Sequence, residues 1–121
     1  MVDYNQLGEK EERFANIIWE NEPIRSAELA QKAEEEFGWK LSTSYTVLKR
    51  LCKKGLFQNK KAIVTSLVKK EEFDSVRSNA YVDKAFGGSL PVFLSAFLRK
   101  QTLTKEQAEK LHRMVDERCE Q

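Results

Sequence analysis

Between Glu36 and Glu71 the chain has no acidic side chain. Across the same interval it carries nine cations: Lys40, Lys49, Arg50, Lys53, Lys54, Lys60, Lys61, Lys69 and Lys70. The whole chain holds 21 Lys and Arg against 19 Asp and Glu, so the remainder has 12 against 19. A formal net charge of +2 therefore hides a block at +9 joined to flanks at −7. Charge kept only for solubility is usually mixed in sign, so this segregation favours a polyanionic partner.

The pattern inside the block is helical. At 100° per residue from Ser42, the residues Ser44, Leu48, Leu51 and Cys52 share one face, with Val47 at its edge. The opposite face collects Ser42, Thr43, Thr46, Lys49, Arg50 and Lys53. Ser42 is suited to be the N-cap, and Gly55 to be the residue that stops the helix. Hydroxyls and backbone N–H groups near a helix start suit phosphate oxygens and base edges, while Lys and Arg suit phosphates and guanine. An ordinary amphipathic surface helix has the same spacing, so the surrounding chain must decide.

At 121 residues the chain is one domain, or one domain with an appendage. No apolar run approaches the roughly 20 residues of a membrane span, and the polar start is unlike a signal peptide. Cys52 and Cys119 are far apart and lack metal-ligand spacing, which favours a reducing, cytoplasmic setting. No cofactor or metal is expected. Catalysis is disfavoured: His112 is the only histidine and has no triad context, there is no phosphate-binding glycine loop, and Gly87-Gly88 reads as a helix stop. The run Glu34-Glu35-Glu36 reads as a solvated helix face.

The elements around the block follow from periodicity. Leu7, Phe14, Ile17, Ile18 and Trp19 open a first helix that Asn21 and Pro23 end. Ser26 is expected to cap a second, with Leu29, Ala30, Ala33 and Phe37 inward and Gly38 closing it. After Gly55 the period changes: Leu56-Phe57 and Ile63 to Val68 flank Gln58-Asn59-Lys60-Lys61 as two strands around a basic turn. Three helices and a hairpin make a winged helix–turn–helix, in which Lys60 and Lys61 lie beside the third, reading helix.

Beyond Lys70 three more helices are expected. Phe73, Val76, Ala80 and Tyr81 mark the fourth; Ser89 caps a fifth over SLPVFLSAFLRK; Thr104-Lys105-Glu106-Gln107 is a capping box for a sixth. Tyr81, Phe86, Leu90, Phe93, Leu94, Phe97, Leu98, Leu111, Met114 and Val115 are more apolar surface than a tail of this length hides alone. A second copy of the chain is the simplest cover; an intramolecular cap on the N-terminal domain is the alternative. The expected fold is mainly α with a small β-hairpin: a winged helix–turn–helix over 1–69, then a helical dimerisation region over 70–121.

Several segments together resemble the penicillinase-repressor family, the BlaI/MecI/CopY group of bacterial transcriptional repressors. They are Leu7…Glu12…Ile18-Trp19, then Ser26-Ala27-Glu28-Leu29, the reader segment Ser44 to Leu56 with its Arg50-Leu51…Lys54-Gly55 ending, and Tyr81-Val82-Asp83-Lys84-Ala85-Phe86-Gly87-Gly88-Ser89-Leu90. The resemblance implies a homodimeric repressor on a pseudo-palindromic operator, linked to β-lactam or cell-wall stress. It assigns Thr43, Ser44, Thr46, Lys49 and Arg50 to the operator surface, with Lys53, Lys60 and Lys61 on the backbone, although periodicity turns Ser44 inward. It also implies a membrane sensor-protease as partner, without membrane insertion of this chain. Three features depart from the family. The wing is shortened to Asn59-Lys60-Lys61 before Ala62-Ile63. The pair aligned with the family's cleavage position is Ala96-Phe97, without the usual asparagine. The copper-responsive branch carries a C-terminal cysteine cluster, where this chain has Cys119 alone. The competing function is a winged-helix protein–protein module with little DNA affinity, which the short wing favours and the charge block opposes.

Overall fold

A computed structural model describes residues 2–5 and 7–120. Among these residues lie six helices and a three-stranded antiparallel sheet: α1 (Glu9–Asn21), β1 (Ile24–Arg25), α2 (Ser26–Phe37), α3 (Leu41–Lys53), β2 (Phe57–Lys60), β3 (Ile63–Ser66), α4 (Lys70–Phe86), α5 (Leu90–Leu98) and α6 (Lys105–Arg118). The chain divides into two compact units, Met1–Ser78 and Asn79–Gln121.

In the first unit, α1 opens with Glu9, Glu11 and Glu12, which complement the positive end of its dipole. It buries Phe14, Ala15, Ile17 and Ile18 at helical spacing. Its last turn is closed by Asn21, whose Nδ2 donates to the Ile17 carbonyl at 2.8 Å. Helix α2 buries Leu29, Ala30 and Ala33 and ends at Gly38, whose N–H reaches the Glu34 carbonyl at 2.9 Å. Trp39, on the link to α3, packs its ring 5.4 Å from Phe14 and 4.9 Å from Phe37.

Helix α3 ends as the glycine spacing predicts. Gly55 takes φ 84°, a conformation costly for any residue with a Cβ. Its N–H donates to the Cys52 carbonyl at 3.0 Å, and the Leu56 N–H donates to the Leu51 carbonyl at 3.3 Å. These are the paired bonds of a Schellman stop, and Leu51 and Leu56 are both fully buried beside it.

The sheet order is β1-β3-β2. Ile24 and Arg25 pair with Val64 and Ile63, while Phe57 through Lys60 pair with Ser66 back to Ile63. The hairpin therefore turns on two residues, Lys61 and Ala62, with φ of 52° and 66°. Two consecutive positive φ values in a two-residue loop are the pattern of a type I′ turn, which normally favours Asn and Gly. Trp19 seats the sheet on the helices: its Nε1 donates to the Val68 carbonyl at 2.9 Å, and its ring lies 5.0 Å from Phe57 and 5.3 Å from Phe73.

Several expectations need correction. Ser26 and Ser42 are not N-caps; Arg25 and Lys40 hold those positions, and neither makes a side-chain cap bond. The expected hairpin forms as β2–β3 and is joined by a third strand, β1, after Pro23, too short to show alternation. Gln58, Asn59 and Lys60 belong to β2, and the turn is Lys61-Ala62. The first unit also runs past Lys69 to Ser78, because Phe73 on α4 is wholly buried in its core and Arg77 pairs with Glu12 of α1.

The second unit holds the end of α4, α5 and α6. Gly87 and Gly88 end α4 with φ of 61° and 78°. Ser89 caps α5 by accepting from the Val92 N–H at 3.2 Å, with Pro91 in the first turn. The Thr104–Gln107 capping box opens α6 with both of its bonds formed, at 3.0 and 3.1 Å. Tyr81, Phe86 and Phe93 form an edge-to-face cluster, and Phe97 lies 6.2 Å from Phe93. Among the described residues none after Phe73 is buried.

The type I′ turn yields a direct test. Ala62→Gly removes the positive-φ penalty of an L side chain and is expected to stabilise the first unit by about 0.5–1 kcal/mol, read from the midpoint of chemical denaturation.

Candidate nucleic-acid interface

Helix α3 buries Ser44, Val47, Leu48 and Leu51 and so turns its opposite side outward. Ser42, Thr46, Lys49 and Lys53 are exposed at i, i+4, i+7 and i+11, which places them on a single ridge. Thr43 and Arg50 flank the ridge on one side and Tyr45 on the other, all exposed. Hydroxyls occupy the start of the helix, while Arg50 and Lys53 occupy its last turn, where cations complement the dipole.

The +9 block is partly neutralised by carboxylates drawn from outside it. Arg50 bonds Glu11 of α1 at 3.1 Å, and Lys54 pairs with Asp3 at 3.3 Å. Lys69 lies 3.8 Å from Glu22, and Lys70 lies 3.3 Å from Asp74. Among the described residues Lys40, Lys49, Lys53, Lys60 and Lys61 have no carboxylate partner, and all five are exposed. They lie at the start of α3, along it, and at the hairpin tip. The unneutralised charge is thereby confined to the reader helix and the wing.

The structure places the other expected residues as follows. Ser44 is 2% exposed and its Oγ has no hydrogen-bond partner, so its side chain is not on the operator surface. The physical reason is its phase, which puts it in line with Leu48 and Leu51 on the core side. Arg50 is on the outer surface but its guanidinium is held by Glu11. Tyr45, 42% exposed, is a ridge-flanking residue absent from the expected set, although the same helical wheel places it there. Cys52 is half-buried on the inner flank, and burial pushes its thiol pKa up, so it stays protonated. The Asp3 carboxyl is held below its ordinary value chiefly by the Asn5 N–H at 2.8 Å; desolvation opposes this, and Lys54 adds a smaller lowering effect.

On the second unit, Tyr81, Leu90, Phe97, Leu98, Met114 and Val115 are exposed, while Phe86, Phe93, Leu94 and Leu111 are half-buried. Val92 is exposed beside them. Ala96 and Phe97 are both exposed, and their carbonyls accept from the Arg99 and Lys100 N–H groups at 3.4 and 3.3 Å, so that peptide bond sits inside helical hydrogen bonding. No cluster of three or more His, Cys, Asp or Glu able to hold a metal is present among the described residues. No helix among them is long and apolar enough to cross a membrane.

Three helices, a small antiparallel sheet and an outward third helix ending at a two-residue hairpin define a winged helix–turn–helix. The fold matches the solution structure of the DNA-binding domain of the repressor BlaI, with a TM-score of 0.54 at 24% identity, covering 60% of this chain and 93% of that one. The family described as penicillinase repressor matches residues 7–117, and the chain belongs to it. It is similar to the penicillinase repressor of Bacillus licheniformis, at 23% identity over 116 residues, covering 93% of this chain and 91% of the relative. It is also similar to the methicillin resistance regulatory protein MecI of Staphylococcus aureus strain Mu50, at 23% identity over 117 residues, covering 93% and 95%.

The inward Ser44 gives a prediction. Ser44→Ala removes a buried hydroxyl without a partner and is expected to leave the thermal midpoint unchanged or raise it. A drop of several degrees would reveal a hydrogen bond that the fold depends on.

Proposed function

We propose that this protein is a DNA-binding transcriptional repressor that acts as a homodimer on a pseudo-palindromic operator. The observation that carries the reading is that, of the nine cations between Glu36 and Glu71, the five without a carboxylate partner lie on α3, at its start and on the wing. In this reading the ridge of Ser42, Thr46, Lys49 and Lys53 enters the major groove with Thr43 and Tyr45 at its sides. Lys40, Lys60 and Lys61 neutralise backbone phosphates and supply much of the affinity, while the hydroxyl and Lys contacts supply sequence preference. Arg50 joins them only by exchanging or sharing its Glu11 partner.

The apolar faces of α5 and α6 meet their counterparts on a second copy, which removes exposed Leu90, Phe97, Leu98, Met114 and Val115 from water. A two-fold pair of reader helices then addresses half-sites about 34 Å apart, or a multiple of that. Family membership supports a link to β-lactam or cell-wall stress, and a membrane sensor-protease as the inducing partner. Cleavage at Ala96-Phe97 would require α5 to unwind first, since a protease binds its substrate extended.

The reading is tested by titrating the chain against the DNA upstream of its own gene across salt concentration. The expected outcome is preference over random duplex and a log–log salt slope of about −5, for the six phosphate contacts that Lys40, Lys60 and Lys61 make in a dimer. Absence of binding at low salt would instead favour a protein–protein module. The dimer is tested by Phe97→Asp, which is expected to give a monomer in sedimentation while the first unit keeps its thermal transition; a persisting dimer would place the interface elsewhere.

A further inference from the structure

Strand β1 contributes a cation that the reader helix and the hairpin do not account for. Arg25 pairs with Ile63, and Ile63 pairs with Lys60 on its other side. Cross-strand partners project from the same face of a sheet, so Arg25 and Lys60 stand on one face at the two ends of a single row. With strands about 4.8 Å apart, their backbones are about 10 Å from one another. The next row on that face is Thr65 and Gln58, joined by a hydrogen bond of 3.1 Å. The opposite face carries Ile24 and Val64, both buried in the core. The outer face therefore holds two cations with the half-buried Ile63 between them, and two neutral polar side chains, with no carboxylate.

Nothing within the first unit explains an arginine at this place. Arg25 occupies the N-cap of α2 and makes no cap hydrogen bond. A cation there meets the positive end of the helix dipole, where Ser, Asp or Asn would be stabilising. Glu28 lies in the same first turn, yet no ion pair joins it to Arg25, and Arg25 is exposed. A residue locally unfavourable and unpaired is accounted for by an anion from outside.

The hairpin tip is also held back against this strand. The Ser26 N–H donates to the Ala62 carbonyl at 2.9 Å, which fastens the turn to the start of α2. The wing does not project beyond β1, so an anion reached by Lys60 and Lys61 is within the neighbourhood of Arg25.

We propose that Arg25 is a phosphate-contacting residue, and that the outer face of the whole three-stranded sheet is the wing's surface for the DNA backbone. The short, anchored wing works as a flat cationic platform, with β1 supplying the contact that a longer hairpin would make with its tip. This rests on the DNA-binding reading above.

The test measures the salt dependence of binding to operator and to random duplex for the full chain and three variants. Arg25→Ser is expected to make the slope shallower by about 0.9 per subunit on both duplexes, and to leave the thermal midpoint equal or higher because it installs an N-cap. Arg25→Lys is expected to keep the wild-type slope. Lys10→Gln, an exposed cation on α1, is expected to leave the slope unchanged. An unchanged slope in Arg25→Ser, or an equal change in Lys10→Gln, overturns the contact while wild-type binding stands. A wild-type chain that binds no duplex at low salt overturns both this proposal and the reading beneath it.

Discussion

What the first unit presents depends on how α3 ends. The reversal at Gly55 turns the Leu56 N–H back onto Leu51 and aims the Leu56 carbonyl at the returning chain. That one carbonyl accepts from both Leu67 and Val68, at 2.8 and 3.2 Å. The Val68 carbonyl in turn accepts the Trp19 indole. A single left-handed glycine thus ties together the last turn of the reader helix, the first residue of the wing, the end of β3 and α1. Leu51 and Leu56 are wholly buried at this junction, so the polar bonds form in a dry setting where losing one is costly. The angle between α3 and the sheet, and with it the relation of ridge to platform, follows from that knot.

Electrostatics is built on the same frame by selective neutralisation. Exposed pairs such as Arg50–Glu11, with side chains 52% and 23% exposed, contribute little to stability. Their effect is on the field: four of the nine cations, Arg50, Lys54, Lys69 and Lys70, are balanced, and the remaining five stand on α3, at its start and on the wing. A chain with net +2 can in this way offer a strongly positive surface while the rest of it stays acidic.

The second unit has the opposite character. Its helices have well-made ends, with the Ser89 cap and the Thr104–Gln107 box, and its aromatic rings touch one another. Yet none of its described side chains is buried. Local capping and aromatic pairs define helices, whereas stability requires apolar area removed from water, and a segment this short has too little interior to do so by itself. The uncovered apolar face on these well-capped helices is the feature on which the proposed pairing with a second copy rests.

Much of this protein was legible in local pattern. Helical spacing located α1 to α6, the side of α3 that faces the core and the inward phase of Ser44, because side-chain direction in a helix is fixed by a period that the chain carries in itself. Charge order alone marked the stretch from Lys40 to Lys61, and Gly55, Gly87-Gly88 and Thr104 announced their turns and caps. What local pattern could not show was decided by pairing between distant segments. Two residues of β1 are too few to show alternation and exist as a strand only because β3 lies alongside. The caps at Ser26 and Ser42 each lay one or two residues away from where hydroxyl chemistry suggested, since strand pairing and the Trp39 packing set where those helices begin. The end of the first unit shifted to Ser78 because Phe73 is buried against Trp19, and the Arg50 guanidinium turned to Glu11, 39 residues away in sequence. Sequence alone determined which surfaces would be apolar or cationic; the tertiary structure decided which charges remain unpaired, because neutralisation depends on proximity in space.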